Sequence, residues 1–223
     1  MTWDPVWERI YQSRSDWGRY PPEELVRFFA RTYYQHADRS AVKVLDLGCG
    51  PGAGPSWFVA REGFDLYGID ASATAIERAR SRFEAERLKG DFCTGNLAAL
   101  PYPDQNFDCV IDIGCLQCNT EPELIPLISE IRRVLKPGGK HFSLTSATGT
   151  WGEGIGKPID ANTFYDIPEG PFAGMGKNRF STRDDMARYY ADFDEVELNH
   201  SIRSVGGTSH EVRNWILTCR KKA

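Results

Sequence analysis

Residues 44–54 read Val-Leu-Asp-Leu-Gly-Cys-Gly-Pro-Gly-Ala-Gly. An apolar strand ends at Asp46, and glycines follow at 48, 50 and 52, where the chain must turn into a helix. Glycine lacks a Cβ, so a backbone rich in it can pass against a ligand and adopt dihedrals that other residues avoid. The helix that follows presents free N–H groups at its start. Such a turn belongs in an α/β sheet, beside a bound cofactor.

The turn by itself admits more than one cofactor. Gly48-x-Gly50-x-x-Ala53 satisfies the loose Gly-x-Gly-x-x-Gly/Ala fingerprint of dinucleotide sites. Asp46 argues the other way, because a carboxylate two residues before the first glycine repels a pyrophosphate and attracts a cation. A plain glycine-rich turn is the third possibility.

Strand and helix patterns alternate along the chain, with no internal repeat and no low-complexity tract. Helices are expected near 5–13 and 22–36, then strand 42–47, helix 54–62, strand 64–70, helix 72–88 and a short strand at 91–94. Strand 107–113, helix 121–135 and strand 140–146 follow, with Pro137-Gly138-Gly139 as the helix stop. A Gly/Pro-rich stretch from 149 to 178 precedes a helix near 182–190 and strands 193–201 and 210–219. The Gly206-Gly207 turn is too short for a parallel crossover, so this last pair is antiparallel.

Three motifs occur in order between residues 42 and 146. Asp46-x-Gly48-x-Gly50-x-Gly52 is the first. Leu100-Pro101-Tyr102-Pro103-Asp104-Gln105-Asn106-Phe107-Asp108 enters the fourth strand, and Leu135-Lys136-Pro137-Gly138-Gly139 precedes the fifth. Together they resemble the class I S-adenosylmethionine-dependent methyltransferases. The resemblance implies a Rossmann-like seven-stranded sheet with helices on both faces, six strands parallel and one C-terminal strand antiparallel. It implies one domain over 1–223, with an N-terminal helical cap over 1–40 and a lid-like insertion over 147–180. The expected activity is methyl transfer from S-adenosyl-L-methionine to a small-molecule acceptor by in-line displacement. A NAD-dependent oxidoreductase and a catalytically inactive methyltransferase-like binding subunit are the alternatives.

Cofactor contacts follow from the rule that ligands of open α/β sheets bind outside the carboxyl ends of the strands. Asp70 ends the second strand and is expected to accept from both ribose hydroxyls, with capping of the next helix as its alternative role. Ala71 would lie beside the adenine. Asn96 and Leu97, after the third strand, are positioned as the family places its adenine contacts, although Gly95-Asn96 is also an ordinary turn pair. Gly48, Cys49, Gly50 and Ile113 should line the methionine portion through backbone groups, and Asp46 would order the loop or act through water. Tyr11, with Trp17 and Tyr20, is placed to cover the sulfonium with an aromatic face.

Acceptor residues are expected in the insertion, at Trp151, Phe164 and Tyr165. No catalytic residue stands out. His210 is the candidate general base, with a solvated hairpin histidine as the alternative. Cys115-x-x-Cys118 lacks the second ligand pair a structural zinc requires, so packing is its expected role and no metal is expected.

The chain has 223 residues, 41% of them hydrophobic, which suits one domain with a substantial core. A net charge of −4 offers no basic field for a nucleic-acid backbone. No apolar run reaches the length of a membrane span, and Asp4 and Glu8 break any signal-peptide profile near the start. These features point to a cytoplasmic protein with small-molecule partners.

Overall fold

The computed structural model describes residues 3–222. Helices α1 (Val6–Ser13) and α2 (Glu23–Thr32) precede β1 (Lys43–Leu47). Next come α3 (Pro55–Arg61), β2 (Asp65–Asp70), α4 (Ala73–Glu86), β3 (Asp91–Thr94) and β4 (Phe107–Ile113). Helix α5 (Glu121–Val134) runs into β5 (Leu135–Ser146), and three short strands follow, β6 (Lys157–Pro158), β7 (Thr163–Tyr165) and β8 (Asn178–Arg179). The chain then forms α6 (Arg183–Tyr189), β9 (Phe193–Val205) and β10 (His210–Lys221).

The main sheet has seven strands in the order β3-β2-β1-β4-β5-β10-β9. Strands β1 to β5 pair in parallel, while β10 runs antiparallel to both of its neighbours, so β9 points the same way as the parallel set. This is the expected sheet, with β10 as its single reversed strand. Val44 and Leu45, adjacent in β1, are both fully buried and belong to different core clusters, because successive side chains leave a strand on opposite faces. One cluster packs α5 against Leu45, Leu47 and Val110. The other packs Leu25 and Phe29 of α2, Phe58 of α3 and Ile76 of α4 against Val44, Leu66 and Ile111.

Besides the earlier end of α2 at Thr32, three differences from the sequence expectation bear on the fold. Helix α5 stops at Val134, before Pro137, and the Pro137-Gly138-Gly139 run is a bulge inside β5. Phe107 pairs with Leu135 and Cys109 with Lys140, so Lys136–Gly139 face a single residue of β4. Gly138 takes a φ of 76° there. As a result His141 lies well inside β5, fully buried, with Nδ1 3.0 Å from the Val110 carbonyl and its ring stacked on Tyr190. Burial pushes its pKa down to about 4. Strand β9 extends to Val205 because its ladder with β10 continues to the Val205–His210 pair at the turn.

The third difference is the stretch after β5. It forms a small antiparallel sheet, β6-β7-β8. Arg179 is buried there, paired with Asp160 at 2.9 Å and Glu121 at 2.8 Å, and the Phe180 ring sits 6.1 Å from Phe164 and 5.8 Å from Phe172. These contacts pack the segment and tie it, through Arg179, to α5 and α6. Among the described residues no helix is long and apolar enough to cross a membrane.

Candidate active site

Strand order reverses at β1, whose neighbours β2 and β4 lead to opposite halves of the sheet. That switch point is where open α/β sheets leave a crevice. The glycine turn after β1 fills its floor. Gly48, Gly50, Gly52 and Gly54 all have φ between 52° and 70°, a region that costs an L-residue with a Cβ. At Gly48 a Cβ would stand 2.5 Å from both Cβ and Sγ of Cys115. The turn is anchored to β2: the Gly48 and Cys49 N–H groups donate to the Ile69 carbonyl at 2.8 and 3.0 Å.

Asp70 holds the turn in place. Its Oδ2 accepts from the Gly50 N–H and its Oδ1 from the Ser72 N–H, both at 2.9 Å. Ser72 caps α4 by accepting from the Ala75 N–H at 3.0 Å. Asp46, at the end of β1, accepts from the Ser56 hydroxyl of α3 at 2.5 Å. A third carboxylate, Asp112 of β4, accepts from the Ser143 hydroxyl at 2.7 Å and from the N–H groups of Cys115 and Leu116.

Burial dominates the electrostatics of these three groups. It pushes Asp46 up to about 7, and Asp70 and Asp112 up to about 6, against the lowering effect of their hydrogen bonds. Asp46 and Asp70 line a cavity of about 520 Å³, a size usual for small-molecule sites. Among the described residues, no Lys, Arg or His side chain lines it. A cation entering this cavity gains the attraction of carboxylates that lack counter-ions.

The N-terminal segment forms one wall of the cavity. Glu8 of α1 accepts from the hydroxyls of Ser72 and Thr74 at the start of α4, a favourable end for a negative charge. This contact brings Tyr11 over the glycine turn, where its hydroxyl would be 3.0 Å from a Cβ on Gly50. The Tyr11 ring lies between Trp7 and Trp17, with centroids at 5.8 and 5.0 Å.

The cavity brings together every cofactor residue singled out in the sequence: Asp46, Gly48, Cys49, Gly50, Asp70, Ala71, Asn96, Leu97, Ile113 and Tyr11. Two of them carry an added local task. The Cys49 thiol is buried in the core and turned to the Gly50 carbonyl, so only its backbone is free for a ligand. Asn96 Oδ1 accepts from the Ala98 N–H at 3.0 Å, as a turn asparagine does.

Trp151, Phe164, Tyr165 and His210 are not brought into this cavity. His210 stacks flat on Trp151 with centroids 4.1 Å apart. Phe164 and Tyr165 belong to β7, tied into the small sheet by pairing with Asn178 and Lys157. In their place Trp3, Asp4, Trp7, Cys115, Cys118 and Asn119 are among the residues that join the lining. Trp3 and Trp7 share an aromatic-rich N-terminal stretch with Tyr11, Trp17 and Tyr20, and the cysteines form the Cys-x-x-Cys pair. Asp4 and Asn119 carried no local signal. Among the described residues no group of three or more His, Cys, Asp or Glu side chains is arranged to hold a metal.

Residues 44–139 match the family model described as a methyltransferase domain. The fatty-acid O-methyltransferase of Mycolicibacterium smegmatis is 32% identical over 151 residues, which cover 66% of this chain and 48% of that protein. A phthiotriol/phenolphthiotriol dimycocerosates methyltransferase of Mycobacterium tuberculosis is 31% identical over 180 residues, 78% of this chain and 64% of that protein. Among solved structures, a SAM-dependent methyltransferase of Methanosarcina mazei superposes with a TM-score of 0.70 at 21% identity, covering 87% of this chain and 97% of that one. The chain belongs to the class I S-adenosylmethionine-dependent methyltransferase family. It spans about half the length of the first curated relatives it matches, and the likeness to the solved structure is one of fold.

Within this methyltransferase fold, the small β6-β7-β8 sheet stands apart from the cavity, which leads to a specific expectation. Replacing both Phe164 and Tyr165 with alanine removes half-buried aromatic surface, at a cost of about 1–3 kcal/mol in stability. Affinity for S-adenosylhomocysteine should stay within a factor of about two, as expected for sites without shared partners. Thermal unfolding and calorimetry on the purified variant check both outcomes; a large loss of affinity would show that the insertion contributes to the cavity.

Proposed function

We propose that this chain transfers a methyl group from S-adenosyl-L-methionine to a small organic acceptor. One observation carries the reading: a cavity at the switch point, floored by a left-handed glycine turn and lined by buried carboxylates, with no Lys, Arg or His side chain in its lining among the described residues. A dinucleotide's pyrophosphate would meet charges of its own sign there. A ligand bearing ammonium and sulfonium groups meets charges of the opposite sign.

Each residue then has a task. Asp70 keeps acceptor capacity on both oxygens after its two backbone bonds, enough for a pair of ribose hydroxyls. Ala71 and Leu97 offer apolar surface to the adenine, and Asn96 a polar edge. Gly48, Cys49, Gly50 and Ile113 present backbone to the methionine portion, and Tyr11 offers its ring to the sulfonium. Asp46 acts from below, holding α3 against the turn through Ser56.

When bound, the cofactor supplies an electrophilic methyl and a neutral thioether leaving group. The protein's contribution is to align the nucleophile, hold the two reactants together and exclude water. The α1 segment, fastened at Glu8, walls that space on one side.

Isothermal titration with S-adenosylhomocysteine and with NAD tests the cofactor. Binding of the first in the micromolar range is expected, without competition from the second. Tight NAD binding with no heat from S-adenosylhomocysteine would return the chain to the dinucleotide reading. Methyl-labelled cofactor incubated with pools of small metabolites then reports transfer, and cofactor binding with no labelled product in any pool would favour a catalytically inactive binding subunit. The curated relatives include enzymes named for fatty acids, demethylmenaquinone and sterols, which makes small apolar molecules the first pool to screen.

A further inference from the structure

The cavity contains a carboxylate that the cofactor reading leaves without a task. Asp4 lines the wall formed by the N-terminal segment and is only 8% exposed. Its Oδ1 accepts from the Val6 N–H at 3.0 Å and its Oδ2 from the Lys177 N–H at 3.4 Å. The loop carrying Lys177 approaches so closely that a Cβ on Gly176 would stand 2.5 Å from Asp4 Oδ2. Two backbone donors leave part of a carboxylate's capacity open, since it can accept about four hydrogen bonds.

Among the described residues no side-chain cation forms an ion pair with Asp4. The nearest loop ammonium, on Lys177, is held by both oxygens of Glu123 at 2.6 and 2.8 Å. Trp3 and Trp7 line the same wall, and aromatic faces beside a carboxylate favour a cation. An anionic acceptor would instead enter a cavity holding Asp4, Asp46 and Asp70, with no Lys, Arg or His in its lining among the described residues.

We propose, on the basis of the cofactor reading above, that the acceptor is an amine on an apolar body, bound as its ammonium ion with Asp4 as counter-charge and Trp3 and Trp7 as aromatic walls. The ammonium nitrogen, oriented by Asp4, gives up one proton to solvent before the attack. The freed nitrogen lone pair forms the new N–C bond to the methyl, and the S–C bond breaks with its electron pair left on sulfur. The products are the methylated ammonium and a neutral thioether.

The test uses the full chain saturated with S-adenosylhomocysteine, titrated with three probes of matched length: hexylamine, hexanol and hexanoate. Hexylamine should bind at least about tenfold more tightly than hexanoate near pH 7.5, the selectivity expected of an uncompensated carboxylate. Asp4→Asn keeps an oxygen for the Val6 N–H and should weaken hexylamine about tenfold while leaving hexanol unchanged. Equal binding of hexanoate and hexylamine to the native protein overturns the proposal, as does an amine preference that survives in a folded Asp4→Asn variant. If that variant fails to fold, the three-probe comparison on the native chain decides alone. Binding of S-adenosylhomocysteine is measured first: its absence overturns the cofactor reading and this proposal with it, whereas normal binding without amine preference overturns the acceptor class only.

Discussion

Gly48→Ala is expected to cost more than any other single methyl group added to the cavity floor. The new Cβ would stand 2.5 Å from both Cβ and Sγ of Cys115, and Cys115 cannot swing aside because its Cβ is itself one of the clashing atoms. Its backbone is pinned as well, through the Cys115 N–H donated to Asp112 at 2.8 Å. Ala would also have to hold a φ of 70°. The left-handed conformation costs about 1–2 kcal/mol and the overpacking about 1–3 kcal/mol, giving a loss of about 2–5 kcal/mol in stability. Displacing the turn also moves the N–H groups that Ile69 and Asp70 hold, so S-adenosylhomocysteine affinity should fall by more than about tenfold, as misplacement of a preorganised site predicts. Gly63→Ala separates the two costs, since Gly63 has a φ of 85° and a Cβ there would meet nothing within 4 Å. If denaturant midpoints show the two variants equally destabilised, steric contact with Cys115 is not what makes glycine necessary at position 48.

Cofactor affinity should rise steeply with pH. Burial raises Asp46 to about 7 and Asp70 to about 6, so at pH 5.5 both are largely protonated in the free protein. A cationic ligand prefers the ionised carboxylates and must drive those protons off. Binding of S-adenosylmethionine should therefore strengthen by about tenfold or more between pH 5.5 and 7.5, each unit of pKa being worth about 1.4 kcal/mol. S-adenosylhomocysteine lacks the sulfonium and should show a shallower rise. Calorimetry in buffers of different ionisation enthalpy would detect the released protons. A pH-independent affinity with no proton release would show that the two carboxylates stay ionised in the free cavity.

The sign for folding is opposite. Both carboxylates have folded values above their unfolded ones, so the free protein binds more protons than the unfolded chain between about pH 4 and 7. Their stabilising contribution is complete below the unfolded value and is lost as pH rises through 6 to 7. His141 works against it in acid, because its folded value of about 4 lies below the unfolded one and the unfolded chain takes up that proton first. A bound cation thus relieves, at neutral pH, the charge burden of two ionised buried carboxylates.

The double service of the site residues explains why binding and folding are linked here. Asp70 accepts from Gly50 and Ser72 while facing the cavity, and Asp46 ties α3 to the same floor. Removing either carboxylate leaves buried donors without partners, a penalty of about 1–3 kcal/mol each. Variants at these positions need a stability measurement beside every affinity.

Local chemistry was readable from the residues in order. The glycines at 48, 50 and 52 announce left-handed backbone, and all three adopt it. The alternation of strand and helix patterns, with a short final turn, specifies parallel strands closed by one reversed strand, as found. Such features depend on neighbours a few residues apart, whose dihedral and periodic preferences survive in any tertiary context. The far wall of the cavity does not. Asp4 meets the loop at Gly176 and Lys177, Gly48 makes room for Cys115, and Glu8 reaches Ser72 and Thr74. The aromatic residues of the insertion show the converse: Phe164 and Tyr165 have the composition of a lid, yet strand pairing and the buried Arg179 pairs hold their segment in a sheet of its own. Which residues face a common space is set by packing between segments distant in the chain, and that long-range free energy leaves no pattern in the residues on either side.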